Sequence, residues 1–345
     1  MNQNKKIADA VHLFESAMNG DLRAKAQVAE SLTTSDFPSL YGQGVNRRLL
    51  AAYQAAPAVW QQYSTRVVLP NFKPQRLVSI LGTTGLERVA EATEYPAGGL
   101  DEALYDFSVA KYGKRIGITW EMVVNDELGQ FRGLDQILAQ GARDLEGDVT
   151  AHALLTPDMK NVNTEFFRSA NGNAPETVDL DRKALQDAIM ELSTKKVDDR
   201  IVARPGLVLV VPPTLEAQAR SILTATEIRT TLADGSVAVE QNPLAGSVQI
   251  VVEPRLLDST HAKAATTWFI LPAPNSARPA LVTGFLAGHE APDLRVKNDQ
   301  GSRAGGGLIP AEQGSFDDDT IQYRVRHVAG AALIDPLHTF VSTGK

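Results

Sequence analysis

Apolar residues near the start of the chain recur at helical spacing. Four of them follow one another at intervals of four, three and four positions: Ile7, Val11, Phe14 and Met18. This spacing places them on one face of an amphipathic helix within the first 30 residues. A second helical pattern covers residues 47–62 but contains Pro57, which removes a backbone donor and clashes with the preceding turn. The second pattern therefore predicts two pieces or an irregular arm.

Residues 83–119 carry β-type alternation on both sides of a turn region rich in proline and glycine. Tyr105, Phe107 and Val109 alternate with other residues, and the phase then shifts before Ile116, as a β-bulge would cause. The first limb is acidic, with Glu87, Glu91, Glu94, Asp101, Glu102 and Asp106, and the second is basic, with Lys111, Lys114 and Arg115. Opposite charges stabilise paired strands, so the pattern predicts a long hairpin whose two limbs pair.

A long helix is predicted from Gly133 to about Leu155, closed by Pro157. Its apolar stripe consists of Leu134, Leu138, Ala142, Leu145 and Val149. A second helix follows a cap at Asp179 or Asp181, because a carboxylate at that position accepts hydrogen bonds from the first turn. Its apolar face consists of Leu185, Ile189 and Leu192.

From Val202 onward, strands and helices are mixed. The pattern predicts a buried strand at 207–212, a helix beginning near Pro213, and strands at 248–254, 267–272, 280–286 and 293–298. In the last element, Ile321, Tyr323 and Val325 share one face. Because only one clear helix separates the early strands, the predicted fold class is α+β rather than a regular doubly wound sheet.

Composition narrows the possible function classes. The 345 residues are 43% hydrophobic and include no cysteine, so the chain can bury a large core but has neither disulfides nor thiolate metal sites. With 34 basic and 41 acidic side chains, the net charge of −7 disfavours a tight reader of nucleic acid. The opening residues do not resemble a secretory signal, and no stretch reaches the roughly 20 apolar residues of a membrane span. The sequence predicts a soluble protein with no membrane partner.

No concentrated catalytic or metal chemistry emerges from the sequence. The histidines at 12, 152, 261, 289, 327 and 338 show no metal-ligand spacing, and His289-Glu290 lacks the second histidine of a metalloprotease helix. Residues 304–308 lack the lysine of a phosphate-binding loop, and the carboxylates 317–319 lack the spacing of a calcium loop. A Gly-x-Ser-x-Gly nucleophile motif is also missing. We therefore predict no catalytic, cofactor-binding or metal-binding residues and no enzyme activity.

Tryptophans and turn residues fit structural roles. Trp60, Trp120 and Trp268 each flank a predicted element boundary, and none repeats at helical spacing with another, so we expect core or interface anchors. Asn125 and Asp126 suit a turn before the long helix, since their side chains satisfy backbone groups there.

The stretch YGKRIGITWEMVVNDELGQF at 112–131 resembles a motif of Mu-like phage major head subunits. In that family a strand ending in Ile-Ser/Thr leads into an Asn-Asp-Asp/Glu-Leu-Gly turn. TTSDFPSLYG at 33–42 and VVLPNFKP at 67–74 resemble the family's amino-terminal arm, and HVAGAALIDPLHTF at 327–340 resembles its closing strand. In order, these similarities cover the chain from about residue 33 to its end.

The resemblance implies an HK97-like fold with an arm, an extended β-hairpin loop, a peripheral domain with a long spine helix, and an axial domain. Mapped onto this chain, it predicts a helical leader at 1–32, the arm at 33–82, the extended loop at 83–119, the peripheral domain at 120–201, the axial domain at 202–315, and a strand at 316–345 that returns to the peripheral domain. We also expect that the arm and the loop have no adequate partner within their own chain and find it on other copies.

The implied function is a major capsid protein whose copies form hexamers and pentamers of an icosahedral shell around double-stranded phage DNA. Expected partners are the chain itself, portal, scaffolding or decoration proteins, and packaged DNA without sequence specificity. The expected location is the virion, with assembly in the host cytoplasm. Two alternatives stay open: an encapsulin-like compartment that uses the same fold to enclose an enzyme, and an α+β hydrolase.

Overall fold

The chain is described by a computed structural model that covers residues 47–81, 101–119, 134–197, 200–231, 237–302, 304, 309 and 314–345. The described residues form two compact units. The first unit takes them from 47–57, 110–145 and 288–328, and the second from 58–109, 146–287 and 329–345. Each unit is therefore built from segments that are distant in sequence.

Helices and strands are mixed along the chain, which confirms the predicted α+β class. The helices are α1 (residues 47–55), α2 (Leu134–His152), α3 (Arg182–Ser193) and α4 (Pro213–Thr224), with 3-10 turns at Val59–Gln62, Ser169–Asn171 and Pro254–Leu256. The strands are β1 (Thr65–Leu69), β2 (Gln75–Leu81), β3 (Asp101–Phe107), β4 (Ala110–Thr119), β5 (Lys196–Val197), β6 (Arg200–Ile201), β7 (Leu207–Val211), β8 (Glu227–Thr231), β9 (Val237–Gln241), β10 (Gln249–Val252), β11 (Trp268–Pro272), β12 (Leu281–Leu286), β13 (Asp293–Val296), β14 (Thr320–Leu333) and β15 (Phe340–Ser342).

The helices predicted within the described residues are confirmed with small changes at their ends, while the helix predicted in the first 30 residues lies outside the described part of the chain. α2 covers Leu134–His152 and ends five positions before Pro157, three residues before the predicted end near Leu155. α3 is capped by Asp181, whose carboxylate accepts a hydrogen bond from the Ala184 backbone amide at 2.7 Å. Pro57 separates α1 from the 3-10 turn at Val59–Gln62, as the sequence indicates. None of the described helices combines the length and apolar character that crossing a bilayer requires.

The second unit is centred on a sheet with strand order β10-β7-β11-β15. β7 pairs in parallel with β10 and antiparallel with β11, and β11 pairs antiparallel with β15. Every residue of β7 and of β11 is buried, so these strands are continuous apolar runs rather than alternating ones. The sheet is therefore covered on both faces.

Alternate residues of β7 belong to two different clusters of the core. Leu209 and Val211 pack in one cluster with residues of α3 and α4, such as Leu185 and Leu223. Val208 and Val210 pack in the other cluster, whose aromatic members are Trp60, Tyr63, Phe166, Phe167, Phe269 and Phe285. Each buried leucine, valine or phenylalanine contributes about 1.5–3 kcal/mol by leaving water, so these two layers provide much of the unit's stability.

A smaller core holds the first unit together. Leu49 and Tyr53 of α1 pack against Ala139 and Ala142 of α2. The guanidinium of Arg143 lies 3.8 Å from the centre of the Tyr53 ring and donates a hydrogen bond to the Tyr53 carbonyl at 3.1 Å. In the same unit β13 pairs antiparallel with the Tyr323–Arg326 part of β14, and β4 also pairs with β14.

The structure corrects the predicted pairing within residues 83–119. β3 pairs antiparallel with β2, which lies before that segment, while the basic strand β4 pairs with β14. The phase shift after Phe107 is therefore not a bulge. Ser108 and Val109 separate two strands that have different partners. The long hairpin exists, but its first strand is Gln75–Leu81.

The expectation that segment 33–82 lacks a partner within its own chain is wrong for residues 58–69. Trp60 and Tyr63 are each only 1% exposed and belong to the core of the second unit. β1 pairs in parallel with β12 along all five of its residues. Burial of aromatic side chains of this size stabilises the folded state by several kcal/mol. For these two residues, the chain's own core provides the buried environment. Residues 33–46 lie outside the described part of the chain.

Candidate assembly surfaces

The β2–β3 hairpin is the longest of the two-stranded pairs in the described residues. Its strands pair over seven positions, from Gln75 opposite Phe107 to Leu81 opposite Asp101. Among the described strands, β2 and β3 pair only with each other. A two-stranded hairpin is only marginally stable in water, so this one depends on contacts at its base and along its length.

The base of the hairpin is fixed in a slot formed by two glycines. Gly284 of β12 and Gly330 of β14 are direct partners in the antiparallel ladder. A methyl group on Gly284 would overlap the ring of Phe107, and one on Gly330 would overlap the carbonyl oxygen of Ser108. Phe107 is 1% exposed and Val109 is 5% exposed. The two glycines thus let the chain pass directly over the sheet where the hairpin ends.

We expect Gly330→Ala to destabilise the protein by about 1–3 kcal/mol, because the new methyl group meets backbone that cannot rotate away. Thermal unfolding of the purified subunit measures the loss. Gly117→Ala is the matched control, since nothing lies within 4 Å of a methyl group there. Its stability should stay within about 0.5 kcal/mol of the wild type. Equal stability of the two variants would contradict the claim that Gly330 is needed for the close approach of the Ser108 backbone.

A basic cleft lies in the first unit, where β4 meets β14. It has a volume of about 570 Å³ and is lined by Lys111, Tyr112, Gly113, Lys114, Arg115, Arg324, Val325 and Arg326. Arg326 pairs with Asp293 at 3.0 Å between Nη2 and Oδ2, and Asp293 also pairs with Arg295 at 2.8 Å. The lining itself contains five basic residues and no acidic one. This cleft is suited to binding negative charge.

Buried carboxylates form a hydrogen-bonded network in the second unit. Trp60 donates from Nε1 to Oε2 of Glu146 at 2.9 Å. Tyr63 donates from its hydroxyl to Oε2 of Glu253, also at 2.9 Å. Both glutamates are fully buried. Nη1 of Arg255 lies 3.2 Å from the second oxygen of Glu253.

This network fits a structural role better than an acid-base role. Both oxygens of Glu253 are engaged, because Oε1 also accepts from the Arg255 backbone amide at 3.3 Å. Nε of Arg255 pairs in turn with Asp148 at 2.8 Å. Burial raises the pKa of Tyr63 well above 10, and the negative charge of Glu253 and its hydrogen bond raise this pKa further. The tyrosine therefore stays a neutral donor that ties residues distant in sequence together.

A hydroxyl chain extends the buried polar region. The Thr283 hydroxyl lies 2.7 Å from that of Ser64 and 2.8 Å from that of Thr150. Thr150 also donates to the carbonyl of Glu146 at 2.7 Å. All of these groups are buried and satisfied, as buried polar groups generally must be.

Four of the six histidines are buried or end a helix. His152 is the last residue of α2, while His261, His327 and His338 are buried. Burial, which disfavours the charged imidazolium, lowers the pKa of His338, and its Nδ1 lies 3.2 Å from the Leu192 carbonyl. His289 lines a small cleft with Glu290. No group of three or more metal-ligating side chains occurs in the part of the chain that the structure describes.

The tryptophans and turn residues named in the sequence analysis have structural roles where the structure describes them. Trp268 is buried in β11 and Trp60 in the neighbouring core cluster, which confirms that both are core residues. Asp318 accepts hydrogen bonds from the hydroxyls of Ser315 and Thr320, which lower its pKa. That carboxylate belongs to a turn, as the sequence suggests. Trp120, Asn125 and Asp126 lie outside the described residues, as does most of the 304–308 segment.

Sequence analysis missed the glycine slot and the buried carboxylates. One signal for Glu146 was present, since it lies four residues after Ala142 and four before Thr150, on the buried stripe of α2. Glu253 follows the apolar strand β10 directly, where a carboxylate would ordinarily be solvated. The glycines carried no comparable signal, because the role of Gly284 depends on Phe107, 177 residues before it, and that of Gly330 on Ser108, 222 residues before it.

Comparison with known proteins places these surfaces in a family context. A family model described as phage capsid protein matches residues 104–342. Among solved structures, the capsid of an empty GTA particle is 13% identical, with 83% of this chain and 89% of that chain covered and a TM-score of 0.50. The cyanophage P-SCSP1u capsid is 12% identical (84% and 88% covered, TM-score 0.49). The virus-like particle from Pyrococcus furiosus is 13% identical (88% and 99% covered, TM-score 0.45). No curated protein sequence matches the chain.

Proposed function

Because the chain belongs to the phage capsid protein family and is a major capsid protein with the HK97-like fold, we propose that its copies form hexamers and pentamers of an icosahedral shell around double-stranded phage DNA. The observation that carries this proposal is the family match over residues 104–342, which spans more than two thirds of the chain. The finer assignment to Mu-like head subunits stays a prediction.

Ring closure follows from the kind of contact such a subunit makes. Contacts between different surfaces of neighbouring copies generate rings when the rotation closes, and rings joined at their edges close a shell. We propose that the hairpin tip at 82–100 and the arm residues 33–46 lie across neighbouring copies. Among the described strands β2 and β3 pair only with each other, which supports this proposal, since a hairpin of this kind gains stability from a surface to lie on. Several modest contacts per subunit then add up to a stable shell.

We propose that the domains of the HK97-like fold correspond to the following elements of this chain. The spine helix corresponds to α2, and the axial domain includes the sheet of β7, β10 and β11. β12 lies in the predicted axial range but pairs with β1 and β14 instead. β15, predicted to return to the peripheral domain, pairs with β11. We propose that these pairings hold β1, in the arm range, and β15, near the C-terminus, in the folded core. The hairpin tip is then left for assembly.

The proposed partners are other copies of the chain, portal, scaffolding or decoration proteins, and packaged DNA held without sequence specificity. Assembly would take place in the host cytoplasm, and the finished protein is a virion component. We propose no catalytic role. The buried carboxylates support this, because the hydrogen bonds of Glu146 and Glu253 hold the core together.

Electron microscopy of the expressed and purified protein tests the proposal. We expect closed particles with fivefold vertices, and nuclease-resistant double-stranded DNA inside particles made together with the packaging machinery. Particles that instead enclose a copurifying protein would favour the encapsulin-like alternative. A monomer that forms no particles under any condition, and that hydrolyses a substrate, would favour the hydrolase and contradict the proposal.

A further inference from the structure

Residues 335–345, which we call the strap, lie against the sheet of the second unit. Within the strap, β15 pairs antiparallel with β11 along all three of its residues. On the other side of β15, the Glu176 backbone amide donates to the Val341 carbonyl at 3.0 Å, and the Glu176 carbonyl accepts from the Thr343 amide at 2.9 Å. A strand of three residues loses few hydrogen bonds when it detaches. Its opening therefore costs less than that of the central strands β7 and β11.

His338 fastens the start of the strap to the end of α3. It is 1% exposed, and its Nδ1 lies 3.2 Å from the carbonyl oxygen of Leu192, in the last turn of that helix. Because a carbonyl oxygen only accepts, Nδ1 carries the proton and Nε2 carries the lone pair. Nε2 is buried and has no hydrogen-bond partner among the described residues. The site therefore fits the neutral imidazole.

Proton uptake at Nε2 of His338 places a positive charge and an unsatisfied donor in the core. The negative charge near the ring is that of Asp335, whose Oδ2 accepts from Nε of Arg278 at 2.6 Å and whose Oδ1 accepts from the Leu337 amide at 2.9 Å. Nη2 of Arg278 is itself buried without a hydrogen-bond partner, so the described residues around the ring are short of acceptors. A buried donor without an acceptor loses the hydrogen bond that water would provide. The charged form of His338 is therefore disfavoured while the strap is in place.

Burial and nearby positive charge act on His338 in the same direction. Burial lowers its pKa most, and Arg278, before β12, and Lys195, after α3, lower this pKa further. The Leu192 carbonyl and Asp335 raise the pKa, but they offset only part of the change. An unfolded chain therefore takes up this proton at a higher pH than the folded chain does. The stability that the neutral ring provides is fully present above pH 6.5, the ordinary value for histidine, and is lost as the pH falls through the folded pKa.

Glu176, which borders β15, responds to pH in the opposite direction. Burial raises the pKa of Glu176, the negative charges of Glu191 and Asp187 raise it further, and Lys195 lowers it by less. A raised carboxyl pKa gives stability that is fully present below pH 4.5 and is lost as the pH rises through the folded value. Protonation of Glu176 therefore does not account for a weakening of the strap in mild acid.

We propose that His338 acts as an acid-sensitive lock on the strap. In mild acid the lone pair of Nε2 takes up a proton from solvent, and residues 338–343 detach from α3 and β11 while the rest of the second unit stays folded. Only hydrogen bonds and packing contacts are broken. Phe340 then leaves Trp268, whose ring centre lies 5.0 Å from its own, and the edge of β11 is exposed. Every group involved lies in one unit of one chain, so the inference does not depend on the proposed assembly.

Hydrogen exchange followed by mass spectrometry of the unassembled, full-length wild type measures the detachment. Between about pH 7.5 and about pH 5.5, after correction for the chemical pH dependence of exchange, residues 340–343 should lose protection while β7 keeps its protection. Retained protection of residues 340–343 in acid would overturn the proposal. So would a simultaneous loss in β7, which indicates unfolding of the whole unit.

An imidazole titration separates His338 from other effects of acid. Its midpoint, followed by NMR in the wild type, should coincide with the midpoint of the change in exchange, and a different midpoint would overturn the proposal. His338→Asn keeps an amide N–H for the Leu192 carbonyl but takes up no proton there. Residues 340–343 of this variant should exchange equally at the two pH values. An acid-dependent loss of protection in this variant would show that another group controls the strap.

His261→Asn is the matched control. His261 is another buried histidine of the same unit, and both of its ring nitrogens have partners: the Lys160 carbonyl at 2.9 Å from Nδ1 and the Thr267 hydroxyl at 3.0 Å from Nε2. This variant keeps His338, so residues 340–343 should lose protection in acid as they do in the wild type. If this variant no longer responds to acid, His338 is not the group that sets the response, and the proposal is overturned.

Discussion

Replacing residues 82–100 by an Asn-Gly turn is expected to abolish shell assembly while leaving the subunit folded. Leu81 and Asp101 are opposite each other in the β2–β3 ladder, so a two-residue turn can join them and keep the paired strands. Phe107 stays in its slot against Gly284, and the core is untouched. The variant loses the segment that we propose to lie on a neighbour, and with it the cooperation among several contacts per subunit. Particle yield should fall about 100-fold or more.

Negative-stain microscopy measures the particles, and circular dichroism with thermal unfolding checks the fold. A variant in which residues 82–100 are replaced by a glycine-serine linker of equal length is the matched control, since it preserves length but removes the side chains. If specific contacts drive assembly, both variants fail to assemble and both melt like the wild type. Normal particles from the Asn-Gly variant would contradict the proposed role of the hairpin in assembly. The position of the cut matters, because removing residues 101–103 as well would shorten β3.

Glu253→Ala is expected to destabilise the free subunit by about 3–5 kcal/mol, because it removes the acceptor of a buried hydroxyl and one carboxylate partner of a guanidinium. Tyr63 is 1% exposed and loses the oxygen to which it donates at 2.9 Å. Arg255 keeps Asp148 but loses its contact at 3.2 Å. Glu253→Gln should cost less, since the amide oxygen still accepts one of these hydrogen bonds. Urea unfolding of the unassembled subunit measures both losses.

Glu216→Ala is the matched control, because Glu216 also pairs with an arginine but on the exposed face of a helix. Its Oε1 lies 2.8 Å from Nε of Arg220, and both side chains are more than a third exposed. Exposed pairs of this type contribute well under about 1 kcal/mol, so this variant should unfold almost like the wild type. Similar losses for Glu253→Ala and Glu216→Ala would show that the buried network does not stabilise the fold.

The pH dependence of stability gives a second readout of the same network. Burial raises the pKa of Tyr63 above its ordinary value, so the folded state holds this proton while the unfolded state releases it. The resulting stability is fully present below pH 10 and is lost as the pH rises beyond 10 toward the folded pKa. Tyr63→Phe has no proton to release there. The stability advantage of wild type over Tyr63→Phe should therefore shrink above pH 10, and a constant difference would contradict the assignment.

Local signals in the sequence predicted the helices and the buried strands well. The stripe of α2 repeats every three to four residues, and the cap at Asp181 lies next to the helix that it begins. β7 is an uninterrupted apolar run, and both its position and its burial were predicted correctly. Each of these features depends on residues within a few positions of one another, which is why one sequence is enough to find them.

Strand partners could not be predicted in the same way. The alternation around Tyr105 and Phe107 indicated a strand, but not that its partner is β2 rather than the segment after residue 83. The opposite charges of the two limbs suggested a pairing that the ladder does not contain, because β4 pairs with β14 across some 200 residues of sequence. Periodicity reveals that a strand has two faces, while its neighbours are chosen by the packing of the whole unit.

The sequence by itself determined the element types, the absence of cysteine chemistry, and the motif at 112–131 through which the family was first suggested. Only the tertiary structure decided that Trp60 and Tyr63 belong to the chain's own core, that Glu146 and Glu253 are buried and paired, and that Gly284 and Gly330 form a slot. The physical reason is distance along the chain. Tyr63 and Glu253 are 190 positions apart, and nothing near either residue specifies the other until packing brings them together.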